Sequence, residues 1–92
     1  MAKPPLDPPV ALAAPTDETL TEYDQQHVIT YLRLLDAEAD GAEWTEVASL
    51  VLRMDPVSDP ARAKATWESH LARAKWLVDH GYRDLLRRDG ST

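Results

Sequence analysis

DPARAKATWESHLARAKWLVDHGY, Asp59 to Tyr82, is the stretch on which the fold turns. Its ends carry opposite helix signals. The Asp59 carboxylate can accept from the orphan N–H groups of a first turn. Pro60 suits the first helical position, where its missing N–H costs nothing. Gly81 suits the left-handed residue that closes a helix, and Tyr82 would then lie over Leu77. No Gly or Pro interrupts residues 61–80. At roughly 100° per residue, Ala63, Trp67, Leu71, Ala74 and Val78 form one stripe, with His70 and Leu77 at its edge. Ala65, Ser69, Ala72 and Trp76 fall nearly opposite. The first stripe is expected to be the spine of the core. The second is either a cover for a neighbouring segment or a docking surface for a partner.

Two shorter helices are expected upstream. The first runs from Gln25 to Ala39, with Asp24 as N-cap and Tyr23 stapled onto Val28. Val28, Leu32 and Leu35 form its apolar stripe, flanked by Ile29 and Tyr31, and Gly41 ends it. Asp36, Glu38 and Asp40 crowd its last turn, where the helix dipole disfavours acids. The second runs from Glu43 to Arg53. Trp44, Val47, Ala48 and Val51 follow the i, i+3, i+4, i+7 spacing of a buried face, and Leu52 and Met54 help close the core. Asp55–Pro56 stops this helix, and a connector from Asp55 to Asp59 leads into the long helix. Arg83 to Arg88 should make a short helical turn that folds Leu85 and Leu86 onto the core, and 89–92 should fray. Residues 1–20 hold five of the seven prolines. Such a segment resists helix formation and reads as a flexible arm, with Val10, Leu12 and Leu20 able to lie on the domain.

The expected product is one small all-α domain, residues 21–88, and a monomer. Three helices with a short connector before the last are the outline of a helix-turn-helix domain, which many bundles share. The chain lacks cysteine, so it has neither a disulfide framework nor a zinc–thiolate site. The first apolar run is too short for a signal-peptide core, and no run approaches a membrane span. These features point to a cytoplasmic protein.

No catalytic constellation emerges, and no cofactor is implied. His27, His70 and His80 are not spaced to build a metal site. His70 reads as a hydrogen-bonded, half-buried histidine. Ser58, Ser69 and Thr66 lack the glycine context of a nucleophile elbow, and no glycine loop could cradle phosphate. Trp44 and Trp67 read as core, whereas Trp76 lies opposite the core stripe and has the character of an interface anchor. The formal net charge is −6. It divides as −2 over residues 1–20, −7 over 21–59 and +3 over 60–92. Arg62, Lys64, Arg73 and Lys75 could touch phosphate. An acidic domain is nonetheless a poor autonomous DNA binder, because sequence-independent affinity comes from phosphate neutralisation.

YDQQHVITYLRLLDAEADGAEWTEVASLVLRMDP (Tyr23–Pro56) and HLARAKWLVDHGYRDLL (His70–Leu86) resemble a proteobacterial extended-turn helix-turn-helix family, the RovC/FseA type. The shared features are YLRLLDAE, a Trp-initiated second helix and the HLxRAxW…GYRxLL pattern. The resemblance implies a three-helix helix-turn-helix variant with an extended turn, a long third helix and a short C-terminal helical turn. Activator members of the family join this domain to a separate N-terminal domain and use a basic surface for DNA. Stand-alone acidic members, the QseM-like antiactivators, bind the activator's N-terminal domain in its place. The acidity of this chain, and the lack of room in it for a further domain, match the second kind. It is expected to bind an activator of conjugative-element transfer, with little DNA affinity. The implied partner-binding residues are Ser69, Ala72, Arg73, Trp76 and Tyr82. If the helix-turn-helix instead reads DNA directly, Ser58, Arg62 and Lys64 would face it.

Overall fold

The structure, a computed structural model, describes residues 10–81. Their regular structure is all helical, with no strand among the described residues: α1 (Glu22–Gln26), α2 (Val28–Ala39), α3 (Trp44–Leu50) and α4 (Pro60–Trp76), the last widening into a π-helical turn, Leu77–Gly81. The expected all-α helix-turn-helix-like fold is present, with the longest helix last. Tyr82, the 83–88 turn and the tail lie outside the described residues.

The expected first helix is two. Thr21, not Asp24, is the N-cap. Its hydroxyl accepts from the Asp24 N–H (3.1 Å) while the Asp24 carboxylate accepts from the Thr21 N–H (2.9 Å), a reciprocal capping box. The chain then breaks at His27 (φ −111°, ψ 22°) and restarts as α2. Tyr23 does not staple onto Val28; it stacks on His27, ring centroids 3.9 Å apart.

The buried face of α1–α2 is Asp24, His27, Thr30, Tyr31 and Leu34, the last four a full i, i+3, i+4, i+7 set. The expected stripe of Val28, Leu32 and Leu35 is turned away from the core by one residue. Val28 is 41% and Leu32 59% exposed, and Leu35 is only partly covered. Four of the five truly buried residues carry polar groups, so apolar periodicity alone selects the neighbouring stripe.

α3 is shorter than expected, ending at Leu50. Arg53 takes a left-handed conformation (φ 59°), uncommon for a residue with a Cβ, and the Met54 N–H returns to the Ala48 carbonyl (2.9 Å). The connector is built by Asp55. Its carboxylate accepts from the Val57 N–H (2.9 Å), the Ser58 N–H (3.2 Å) and the Ser58 hydroxyl (2.7 Å). These bonds hold the Asp55 carboxyl below its ordinary range. Asp59 then caps α4 as expected, accepting from the Arg62 N–H (3.2 Å), with Pro60 in the first turn.

Tyr31, Leu34, Val47, Leu52, Leu71 and Ala74 make the core. Trp44 and Trp67 sit at its edge, half-buried rather than central, with ring centroids 6.1 Å apart. On α4 the expected stripe holds at Ala63, Leu71 and Ala74, while Val78 is exposed. The buried sector extends instead toward Thr66, His70 and Arg73.

Candidate interaction surface

α4 is packed from two sides. Its inner side meets α2 and α3. Its other side, read from sequence as either a cover or a docking surface, carries the chain's own residues 10–20.

That segment is held through its main chain. The Ala11 N–H donates to the Tyr23 hydroxyl (3.0 Å), and the Thr66 hydroxyl donates to the Leu12 carbonyl (2.9 Å). The Ala14 N–H donates to the Ser69 hydroxyl (3.1 Å). The Arg73 guanidinium donates to the carbonyls of Asp17 (2.6 Å) and Thr19 (3.0 Å). Ala14 and Leu20 are buried, whereas Leu12 points outward.

Beneath the segment lies a buried polar layer. Arg73 Nη2 and Nε meet the two Asp24 carboxylate oxygens at 2.6 and 3.0 Å, a two-pronged pair. Asp24 is 0% and Arg73 4% exposed. The Tyr31 hydroxyl also donates to Asp24 (2.9 Å). Burial pushes the Asp24 carboxyl up. Hydrogen bonds from Arg73, the Thr21 backbone and hydroxyl, and Tyr31 outweigh it, and the net shift is downward. The Tyr31 phenol is driven far up by burial and by that carboxylate.

His70 is fully buried rather than half-buried, and is hydrogen-bonded as expected. Its Nδ1–H donates to the Thr66 carbonyl (2.8 Å), so Nε2 is the acceptor and the Tyr23 hydroxyl donates to it (2.5 Å). Burial lowers the His70 pKa, and the nearby His27 lowers it further, against the Thr66 bond that raises it.

The residues singled out from sequence therefore separate. Ser69 is half-buried under Ala14. Ala72 is exposed, and Trp76 is half-buried with the Arg73 guanidinium 4.0 Å over its ring. Together with Ala14, Pro15 and Thr16, these residues line one cleft. Arg73 is not a rim residue and is too deeply buried to meet phosphate; it clamps α4 to α1 and to the preceding segment. Tyr82 lies outside the described residues.

Ser58, Arg62 and Lys64 are all exposed at the start of α4. Each is engaged locally. Ser58 bonds Asp55, Arg62 Nε lies 3.3 Å from Asp59, and the Lys64 ammonium sits 5.9 Å from the Trp44 ring centroid. Farther along, Lys75 pairs with Glu38 of α2 (2.8 Å).

One surface was missed. Val28, Leu32 and Leu35 of α2, with Leu77 and Val78, line an almost wholly apolar cleft. The apolar stripe that the sequence shows on α2 forms this surface rather than the core. Among the described residues no helix is long and apolar enough to cross a membrane. No group of three or more His, Asp or Glu is placed there to hold a metal.

No curated protein matches the chain. Residues 7–87 match the family described as RovC DNA-binding domain: T6SS, transcription factor, DNA binding domain. That is a class of transcription-factor domains rather than of enzymes, and the match takes in the segment that lies along α4 as well as the helices. On that match, the chain belongs to the RovC-type family of transcription-factor DNA-binding domains.

Proposed function

We propose that this domain regulates transcription through protein–protein contact, as an antiactivator that binds a transcriptional activator of mobile-element transfer. The observation that carries this reading is the commitment of the cations on α4. Arg73 is consumed by Asp24, Lys75 by Glu38 and Arg62 by Asp59, and Lys64 lies over Trp44. The exposed pairs are weak, but they cancel charge where phosphate would be met. Asp55 and Asp59 flank the start of the helix that would enter a DNA groove. With a net charge of −6, the counterion-release contribution that drives DNA affinity is small. The charge of −7 over residues 21–59 favours encounter with a basic protein surface.

Competition sets a demand on affinity. Two domains tethered in one activator meet at an effective concentration of order mM. A free competitor at micromolar level must bind more tightly by about 4 kcal/mol, at about 1.4 kcal/mol per tenfold. Catching the activator before its own domains dock relaxes that demand.

The second reading, direct DNA binding, is favoured by the family's description. Two titrations separate them. Calorimetry against the N-terminal domain of an activator recovered from the native host by pull-down should give micromolar or tighter binding. Fluorescence anisotropy with promoter DNA at physiological salt should show no sub-micromolar, sequence-selective binding. The reverse pair of outcomes would establish the DNA reading.

A further inference from the structure

We propose that the outer face of α4 is a receptor for an irregular, Ala/Pro-rich polypeptide segment that bends as this chain does at Leu12 and Ala13. Residues 10–16 of this chain fill it in cis and exchange with such a segment from the protein partner. The partner half of this inference rests on the protein-contact reading above; the receptor half stands on the contacts alone.

The chemistry of the groove is that of backbone recognition. The described bonds between residues 11–16 and the helical body all use the segment's main chain: the Ala11 and Ala14 N–H groups and the Leu12 carbonyl. The receiving groups are the Tyr23, Ser69 and Thr66 hydroxyls, the first two oriented by a further bond. Tyr23 donates to His70, Ser69 donates to the Thr66 carbonyl (3.1 Å), and Thr66 is itself buried. Fixed hydroxyls that read a main chain accept any segment with small side chains that can follow the same bent path. Side-chain anchoring is uneven, and its apolar part comes from Val10, half-buried against the hydrophobic core. Ala14 is buried, Leu12 is 57% exposed, and a cleft remains between 14–16 and Ala72 and Trp76. That cleft leaves space for a bulkier residue than the chain itself supplies.

Exchange has a structural limit. Asp17 and Thr19 are gripped by Arg73, which belongs to the buried Asp24 pair. Residues 17–20 are therefore part of the fold, and 10–16 are the replaceable part. The tether keeps the cis segment at an effective concentration of order mM, so an identical free peptide competes only in that range. Weakening the cis contact moves the competition to lower concentration. A lost hydrogen bond of about 1.4 kcal/mol corresponds to about tenfold.

The test uses the full chain, isotope-labelled, titrated with the unlabelled peptide PPVALAAPT (residues 8–16). In the wild type, the Ala11 and Ala14 amides should lose hydrogen-exchange protection as peptide passes the millimolar range, with Thr66 and Ser69 resonances perturbed. In full-length Ala14→Pro, which lacks the N–H that meets Ser69, the midpoint should fall about tenfold. Should that variant not fold, the wild-type titration decides by itself. Protected amides that do not respond to about 10 mM peptide, an excess over the tether's effective concentration, would make the segment a permanent part of the fold and overturn the proposal. This outcome is separable from failure of the antiactivator reading, because no activator is present in the experiment.

Discussion

Arg73 and Asp24 are 49 residues apart in sequence and 2.6 Å apart in the interior, where they tie the last long helix to the first short one. A buried ion pair of this geometry adds little over a well-packed apolar pair, but removing one partner strands the other charge. Arg73→Ala strands Asp24 and also releases the Asp17 and Thr19 carbonyls. Its expected cost is about 3–5 kcal/mol, against a total of about 5–14 kcal/mol for a chain of this length. Urea denaturation measures it. A cost below about 1 kcal/mol, the size of a surface pair, would mean that the pair does not hold the fold.

Thr21→Ala should be much milder. It removes one half of the capping box, the acceptor for the Asp24 N–H, and leaves the Asp24–Arg73 pair in place. Loss of such a cap costs about 1 kcal/mol. Denaturation midpoints of the two variants should therefore differ clearly, and equal losses would place the strength of this corner in the cap rather than in the ion pair.

Acidification should destabilise the domain in two steps. The folded pKa of His70 is depressed below its ordinary 6.5, chiefly by burial. The unfolded chain then binds the proton first, so stability is full above about pH 6.5 and falls as pH drops below it. The Asp24 carboxyl is also depressed, from an ordinary 3.8. Its contribution is present above that value and is lost as pH falls through the folded pKa. Urea midpoints between pH 8 and 5 should decline in the wild type and flatten in His70→Gln. A midpoint that rises on acidification would show that the imidazolium is the favoured folded form.

Trp76→Ala should weaken binding to an activator's N-terminal domain by about thirtyfold, equivalent to the 2 kcal/mol or more typical of an aromatic hot spot. The ring is half-buried beside Ala72 and under the Arg73 guanidinium, so the domain should remain folded. Arg62→Ala, at the far end of α4, should change binding little. Calorimetry with both variants reads this, and circular dichroism reports folding. Unfolding of Trp76→Ala would make the residue structural. Normal binding by the folded variant would move the interface elsewhere, with the acids Asp36, Glu38, Asp40, Glu43 and Glu46 and the Val28–Leu32 cleft next to be tested.

The amino-acid sequence by itself determined where α4 starts, that the domain is all-helical with its longest helix last, and that its charge is unevenly divided. Those features rest on local physics: a cap reaches three residues, a proline acts on its own turn, and charge is additive. The same locality explains the partial errors. The sequence carries Thr21 and Asp24 at capping-box spacing, but both are good caps, and only the paired bonds between them distinguish N-cap from N3. Which face of α2 turns inward was decided by tertiary structure. Tyr31 is drawn to Asp24, and His27 and Thr30 are buried alongside it. Polar residues enter a core only where partners await them, and those partners come from distant chain. Arg73 shows the same dependence. On a helical wheel it is one more basic residue at the margin of a surface, and only the arrival of Asp24 and the carbonyls of Asp17 and Thr19 makes its burial favourable.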